Sequence, residues 1–208
     1  MSDFKHRDPA AAAFWDERLA AGFTPWDAGG APPALRRFVE THRERLGPRV
    51  LVPACGSAHE ADFLDAAGFE VLAIDYSAAA LEAARRALPA EVADRVLLHA
   101  DFFAFDSAPF DWIYERAFLP ALPPRLWADW AARCAQLLRP GGWLAGFFVI
   151  EDAPPEPRRG PPFAATAAEI DALLRERLTR VEDAPIPSAD SIPVFAGRER
   201  WQVWQRGR

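Results

Sequence analysis

The sequence predicts an α/β protein with a doubly wound parallel sheet. Short apolar runs alternate with helical stretches through most of the chain, a pattern that forms a parallel sheet by right-handed crossovers with helices on both faces. The run WLAGFFVI, residues 143 to 150, is apolar without interruption, as a strand buried on both faces requires. At 208 residues, half of them apolar, residues 1–208 suit a single domain around one core.

Each element follows from local signals. Asp8-Pro9 reads as an N-cap and first-turn proline, opening a helix to about Ala21 before Gly22. A second helix follows Pro32-Pro33 and stops at Gly47-Pro48, with Leu35, Phe38, Val39 and Leu46 near helical spacing. RVLVP, residues 49 to 53, is a strand that turns through ACGSA into a helix ending at Gly68. FEVLAID, 69 to 75, is the next strand, after which Ser77 caps a helix running toward Pro89. RVLLHA, 95 to 100, and FDWIYE, 110 to 115, are the third and fourth strands. A helix from about Pro124 to Leu138 then shows a wide apolar face, and the fifth strand follows Gly141-Gly142. Beyond a proline-rich insertion, TAAE at Thr166 matches a capping box for a helix to about Leu178. RWQVWQ, 200 to 205, is the last strand read from the residues.

Composition narrows the function. A net charge of −6, with arginines dispersed among acids, argues against a nucleic-acid partner. Two cysteines, Cys55 and Cys134, are too few for a disulfide scaffold and lack metal-ligand spacing, so no metal is expected. No signal peptide is recognisable, and no run reaches the roughly 18 apolar residues of a membrane span. The expectation is a cytoplasmic monomer that acts on a small molecule.

In an open parallel sheet, ligands bind beyond the carboxyl ends of the strands where strand order reverses, which directs attention to the turn Pro53-Ala54-Cys55-Gly56-Ser57-Ala58. A dinucleotide fingerprint needs three glycines to admit a pyrophosphate, and this turn has one, which disfavours nicotinamide and flavin cofactors. A cofactor without phosphates needs only small residues there. Asp75 ends the second strand, where a carboxylate can accept from both ribose hydroxyls, and Tyr76 follows it. It reads equally as a turn aspartate before a capped helix. Asp101 and Phe102 follow the third strand, suiting an adenine amino group and an adenine face, or else a loop acid beside a core ring.

The segments FWDERLAAGFTPWD, LVPACGSAHEADFL, VLAIDYS, DFF, FDWIYERA, LLRPGG, GPPF and DSIP occur in an order that resembles the thiopurine S-methyltransferase family across nearly the whole chain. TPWD, GPPF and DSIP look most like its halide and thiol (thiocyanate) methyltransferase branch. The resemblance implies a seven-stranded Rossmann-like methyltransferase sheet with a helical N-terminal extension, residues 1–47, covering S-adenosyl-L-methionine. It further implies that Trp15, Trp26, Ala54, Asp75, Asp101, Phe102 and Arg116 contact the cofactor. Leu19 stands where some members carry another tryptophan. Arg116 is arginine in thiopurine enzymes and tyrosine in some plant members, and it contacts cofactor or substrate. The tryptophans have an independent rationale, since an aromatic face attracts a desolvated sulfonium by about 0.5 to 2 kcal/mol. Trp127, Trp130 and Trp143 are assigned to packing instead.

Methyl transfer from a sulfonium is an in-line displacement, in which a protein aligns the reactants and excludes water. A thiolate, hydrosulfide or halide needs no base, and His6, His42, His59 and His99 show no pairing pattern in the sequence; no catalytic residue is therefore assigned. The expected reaction methylates a thiol, hydrosulfide, halide or thiopurine and releases S-adenosyl-L-homocysteine. The alternatives are a small-molecule O- or N-methyltransferase and a cofactor-binding regulatory protein without turnover. Residues 151–165 are expected to form a lid, with Phe118 and Phe163 lining an apolar substrate pocket.

Overall fold

The structure, a computed structural model, describes residues 4–207. Helices α1 (Ala12–Ala20) and α2 (Pro33–His42) precede β1 (Arg49–Pro53), α3 (His59–Ala66) and β2 (Glu70–Asp75). Then come α4 (Ala78–Ala87), α5 (Ala90–Val96), β3 (Leu97–His99), β4 (Phe110–Arg116), α6 (Trp127–Leu137) and β5 (Leu138–Val149). The chain closes with α7 (Ala167–Leu174), β6 (Leu178–Pro185) and β7 (Glu199–Arg206). Among the described residues, no helix is long and apolar enough to cross a membrane.

The seven strands form one sheet in the order β3-β2-β1-β4-β5-β7-β6. The five strands β1 to β5 are parallel, but β7 runs antiparallel to both β5 and β6, so the sheet is mixed rather than wholly parallel. The cause is the connection. A parallel neighbour requires a crossover, whereas β6 returns into β7 through a loop holding only the 3-10 turn Pro193–Phe195.

Strand side chains divide two apolar layers. Trp112 and Tyr114 of β4 face a layer with Phe38, Leu64, Trp143 and Trp201. Phe110 and Ile113 face the other, with Trp130, Leu144, Phe148 and Trp204. Burying each such large side chain contributes roughly 1.5–3 kcal/mol. Trp127, Trp130 and Trp143 are thus core residues, and Trp127 donates its indole N–H to the Leu122 carbonyl at 3.0 Å.

Two caps form as the sequence indicates. The Ser77 hydroxyl accepts the Ala80 amide at 3.1 Å, and Thr166 and Glu169 make a reciprocal capping box. Other boundaries move. Helix α1 starts at Ala12, because Asp8 turns its carboxylate onto the Ala10 amide and makes a local turn instead of capping the helix. Arg95 and Val96 close α5 rather than opening β3. Helix α7 stops at Leu174, and the segment from Leu178, expected to end that helix, begins an additional edge strand.

Candidate functional site

The chain reverses the order of its strands between β1 and β4, and a cavity of about 630 Å³ lies beyond their carboxyl ends. Its floor is the turn after β1. Ala54, Gly56 and Ala58 have φ of 50°, 52° and 56°, all left-handed, as has Ala117 (62°) after β4. That region costs a non-glycine residue about 1–2 kcal/mol. Two alanines therefore hold the backbone shape that a glycine-rich turn adopts freely, and such strain concentrates at ligand sites.

Asp75 secures this turn. One carboxylate oxygen accepts the Gly56 amide at 3.1 Å, and the other accepts the Ser77 amide at 2.9 Å. The residue is 7% exposed, and burial raises its pKa against the pull of these donors. Each oxygen keeps a second lone-pair direction with which to accept a ligand hydroxyl.

The structure brings eleven of the twelve residues singled out in the sequence to the cavity wall. Trp15, Leu19 and Trp26 come from the N-terminal cover, Ala54 and Gly56 from the floor, and Asp75 and Tyr76 from the end of β2. Asp101 and Phe102 follow β3, Arg116 ends β4, and Phe118 follows it. Trp15 and Trp26 meet edge to face at 5.4 Å. The Trp15 indole N–H and the Tyr76 hydroxyl both donate to the Pro9 carbonyl, at 2.8 and 3.2 Å. Asp101 accepts the Phe103 amide at 2.9 Å, and Phe102 meets Phe118 edge to face at 5.1 Å.

Two placements differ from expectation. Phe163 stays out of the cavity wall, which Gly160, Pro161 and Pro162 occupy. Its ring packs instead on the layer below and closes against Gly160, where a Cβ would come within 2.6 Å. Of the 1–47 extension, the described wall residues run only from Phe4 to Gly30, because the apolar face of α2 is spent on Trp112, Trp143 and Trp201 of the sheet.

Arg116 is held, but not by Glu115 or Asp111, the acids adjacent in sequence. It pairs with Glu199 at 2.8 Å and lies 4.0 Å from Glu60, with its guanidinium 4.0 Å from the Phe147 ring centre. Burial raises the pKa of the Glu60 carboxyl, and nearby Arg116 opposes that shift. Glu199 also accepts the Ser191 hydroxyl at 2.6 Å and the Ile192 amide at 2.9 Å, which gives the DSIP segment its place in the site.

The structure adds polar residues that sequence reasoning missed. Asp27 accepts the Ser57 hydroxyl at 2.6 Å and lies 3.3 Å from Nε2 of His59, a wall residue. The only available signal was the position of Asp27 in TPWD. Asp16 accepts the Ser77 hydroxyl at 2.5 Å, tying α1 to the start of α4.

Comparison with known proteins gives the family and the fold. The family model described as thiopurine S-methyltransferase matches residues 10–207. A probable thiol methyltransferase 2 of Arabidopsis thaliana is 31% identical, over 77% of this chain and 70% of its own length. A thiopurine S-methyltransferase of Pseudomonas fluorescens (strain SBW25) is 32% identical, over 77% of this chain and 80% of its own. Among solved structures, the 1,6-didemethyltoxoflavin-N1-methyltransferase of Burkholderia thailandensis, with bound S-adenosylhomocysteine, shares the fold. It matches at a TM-score of 0.73 and 20% identity, over 99% of this chain and 93% of that one. From a match that spans nearly its whole length, the chain belongs to the thiopurine S-methyltransferase family of S-adenosylmethionine-dependent methyltransferases.

Proposed function

We propose that the cavity binds S-adenosylmethionine and that the enzyme methylates a small soft nucleophile: a thiol, hydrosulfide, halide or thiopurine. The observation that carries this reading is the Asp75 carboxylate, bonded to Gly56 at the floor of a cavity walled by Trp15, Trp26, Phe102 and Arg116. In this reading Asp75 accepts from the ribose hydroxyls, Asp101 and Phe102 hold the adenine, and Ala54, Gly56 and Tyr76 flank the nucleoside and methionine portions. Trp15, Leu19 and Trp26 close over the cofactor from the cover, and the two indoles favour a cationic sulfonium. Arg116 and Phe118 face the acceptor side.

When bound, the cofactor supplies a methyl group on a sulfonium, and the acceptor's lone pair forms the new bond as the old carbon–sulfur bond breaks. The chain's own part is alignment, exclusion of water and placement of charge. Arg116, whose position Glu199 and Glu60 fix, offers its remaining guanidinium N–H groups to an anionic acceptor, with part of its charge offset by the two acids. The relatives named for thiol and thiopurine methylation support the acceptor class. Cys55 and Cys134, both buried free thiols, support a reducing cytoplasmic setting.

The pairing of His59 with Asp27 favours a second reading, in which a neutral acceptor loses its proton to an imidazole oriented by a carboxylate. Calorimetric titration with S-adenosylhomocysteine, followed by labelled cofactor with thiols, halides, thiopurines and phenols, tests both. Binding with transfer to sulfur or halide acceptors supports the first reading. Transfer to phenols alone, lost in His59→Ala, supports the second, and absence of binding overturns the site.

A further inference from the structure

Glu115 on β4 is a buried carboxyl that methyl transfer leaves without a task. It is 0% exposed and directly precedes Arg116. Its Oε1 accepts the Phe118 amide at 2.8 Å and the Leu119 amide at 2.9 Å, folding the chain back across the left-handed Ala117. The folded-back segment presents Phe118 to the cavity and runs into the 3-10 turn Leu119–Ala121. In that turn the Pro120 carbonyl accepts the Phe163 amide at 2.7 Å. Phe163 in turn closes against Gly160, the residue that starts the lid portion of the cavity wall. One carboxyl oxygen thus stands at the root of a chain of contacts that ends in the lid.

The surroundings of Glu115 leave it free for this role. Sheet register sets Gly146 beside Glu115 and Gln202 beside Gly146, so these residues share the face covered by α6. Among the described residues, Oε2 of Glu115 has no hydrogen-bond partner, nor has Nε2 of Gln202. Among the described residues no cation pairs with the carboxyl: Arg116, whose charge acts on it from the next position, is turned to the opposite face with Glu199 and Phe147. Burial, opposed by the two amides, pushes its pKa up to about 8, so near neutrality it is a neutral group whose Oε1 still accepts.

We propose that Glu115 is a positioning residue for the acceptor side of the site: by holding the Phe118 and Leu119 amides it sets where Phe118 and the lid segment stand. Without an acceptor at that point, two N–H groups lose their partner, and the segment shifts to find another. The cofactor floor at Asp75 is built from β1 and β2 and does not depend on it. The inference rests on the cavity assignment above, which S-adenosylhomocysteine binding to the wild-type protein tests separately.

The experiment compares Glu115→Gln, which keeps the reach of an accepting oxygen, with Glu115→Asp, which shortens it, and with Glu115→Leu, which removes it. Affinity for S-adenosylhomocysteine and KM and kcat for the acceptor are measured, together with hydrogen exchange of the amides of Ala117, Phe118, Leu119, Ala121 and Leu122 in one segment and of Gly160 and Phe163 in the other. Gln keeps all values within twofold of wild type. Asp and Leu keep cofactor affinity within twofold but raise acceptor KM at least fivefold, with faster exchange in both segments. Unchanged acceptor KM in Asp, or equal losses of cofactor affinity and acceptor KM, overturns the proposal. If Leu fails to fold, the Gln and Asp pair decides.

Discussion

Asp75 uses one carboxylate to join two turns, and the site depends on that economy. Asp75→Ala removes the acceptor for the Gly56 amide and, in the proposed complex, for the ribose hydroxyls. Hydrogen bonds to a charged group are worth about 1.5–3 kcal/mol. The variant is therefore expected to weaken S-adenosylhomocysteine binding by roughly 10- to 100-fold in calorimetry, a smaller loss arguing against the ribose contact. Glu115 gives a pH signature. Its pKa is raised from 4.5 to about 8 by burial, so between those values the folded state holds a proton that the unfolded state has released. Its contribution to stability is full below pH 4.5 and is lost as pH rises to about 8. Tyr114 and Arg116 on its own strand and Cys134 on α6 are the titratable or charged neighbours that feel this charge. The thermal midpoint of the wild type is expected to fall from pH 5 to 8 more steeply than that of Glu115→Gln; parallel curves would remove Glu115 as the cause. At this scale the sequence was most legible in position, since Asp75 and Asp101, picked out at strand ends, both reach the cavity wall. It was silent on Glu199 and His59, whose roles arise from partners distant in the chain.

Strands and turns were legible in proportion to the burial of their side chains. WLAGFFVI announced β5 because both of its faces are covered, whereas β6 hid in LTRVEDAP. Most of that strand is exposed, so no alternation of apolar residues marks it, and pairing with β7 alone defines it. Charged residues on such an edge also discourage pairing with another chain. The antiparallel β7 was likewise unreadable, because direction is set by the connection and not by RWQVWQ itself. Gly146 on β5 is the element-scale counterpart of the site. A Cβ there would come 2.1 Å from the Glu115 carbonyl and 2.6 Å from the Glu115 Cβ, so β4 and β5 approach as they do only because this residue is glycine. Gly146→Ala is expected to destabilise the protein by about 1–3 kcal/mol through overpacking, with acceptor kinetics disturbed as well. Ala58→Gly is the converse case. Relief of a left-handed alanine is expected to leave stability unchanged or slightly raised by denaturant unfolding, and a marked loss would show that the Ala58 methyl, buried in the core, outweighs the backbone term.

At the scale of the whole molecule, the N-terminal cover is a separate layer pinned to the sheet at a few polar points. Asp16 bonds Ser77 and lies 3.3 Å from the Ala79 amide, Asp27 bonds Ser57, and the Pro9 carbonyl receives Tyr76. Two of these pins, Ser57 and Ser77, flank the turns that Asp75 joins, so cover and floor share supports. The cover contributes Trp15, Leu19 and Trp26 to the cavity, while the two apolar layers on the sheet form without them. Stability and ligand retention should therefore separate. A ligand that binds only the folded state adds about 2.7 kcal/mol at 100 times its Kd, which for a chain of this size raises the midpoint by roughly 5–11 °C. Asp16→Ala is expected to lower the midpoint of the free protein by only a few degrees, since it leaves the buried Ser77 hydroxyl without its acceptor, at about 1 kcal/mol, but leaves the apolar layers intact. In the same variant S-adenosylhomocysteine should dissociate faster and shift the midpoint less, because in the proposed complex Trp15, which closes over it, has lost the neighbouring Asp16–Ser77 anchor. Thermal melts with and without S-adenosylhomocysteine, beside stopped-flow release, measure both quantities. An equal fall of the midpoint in the free and bound proteins, with release unchanged, would make α1 a plain part of the core instead of a cover over the site.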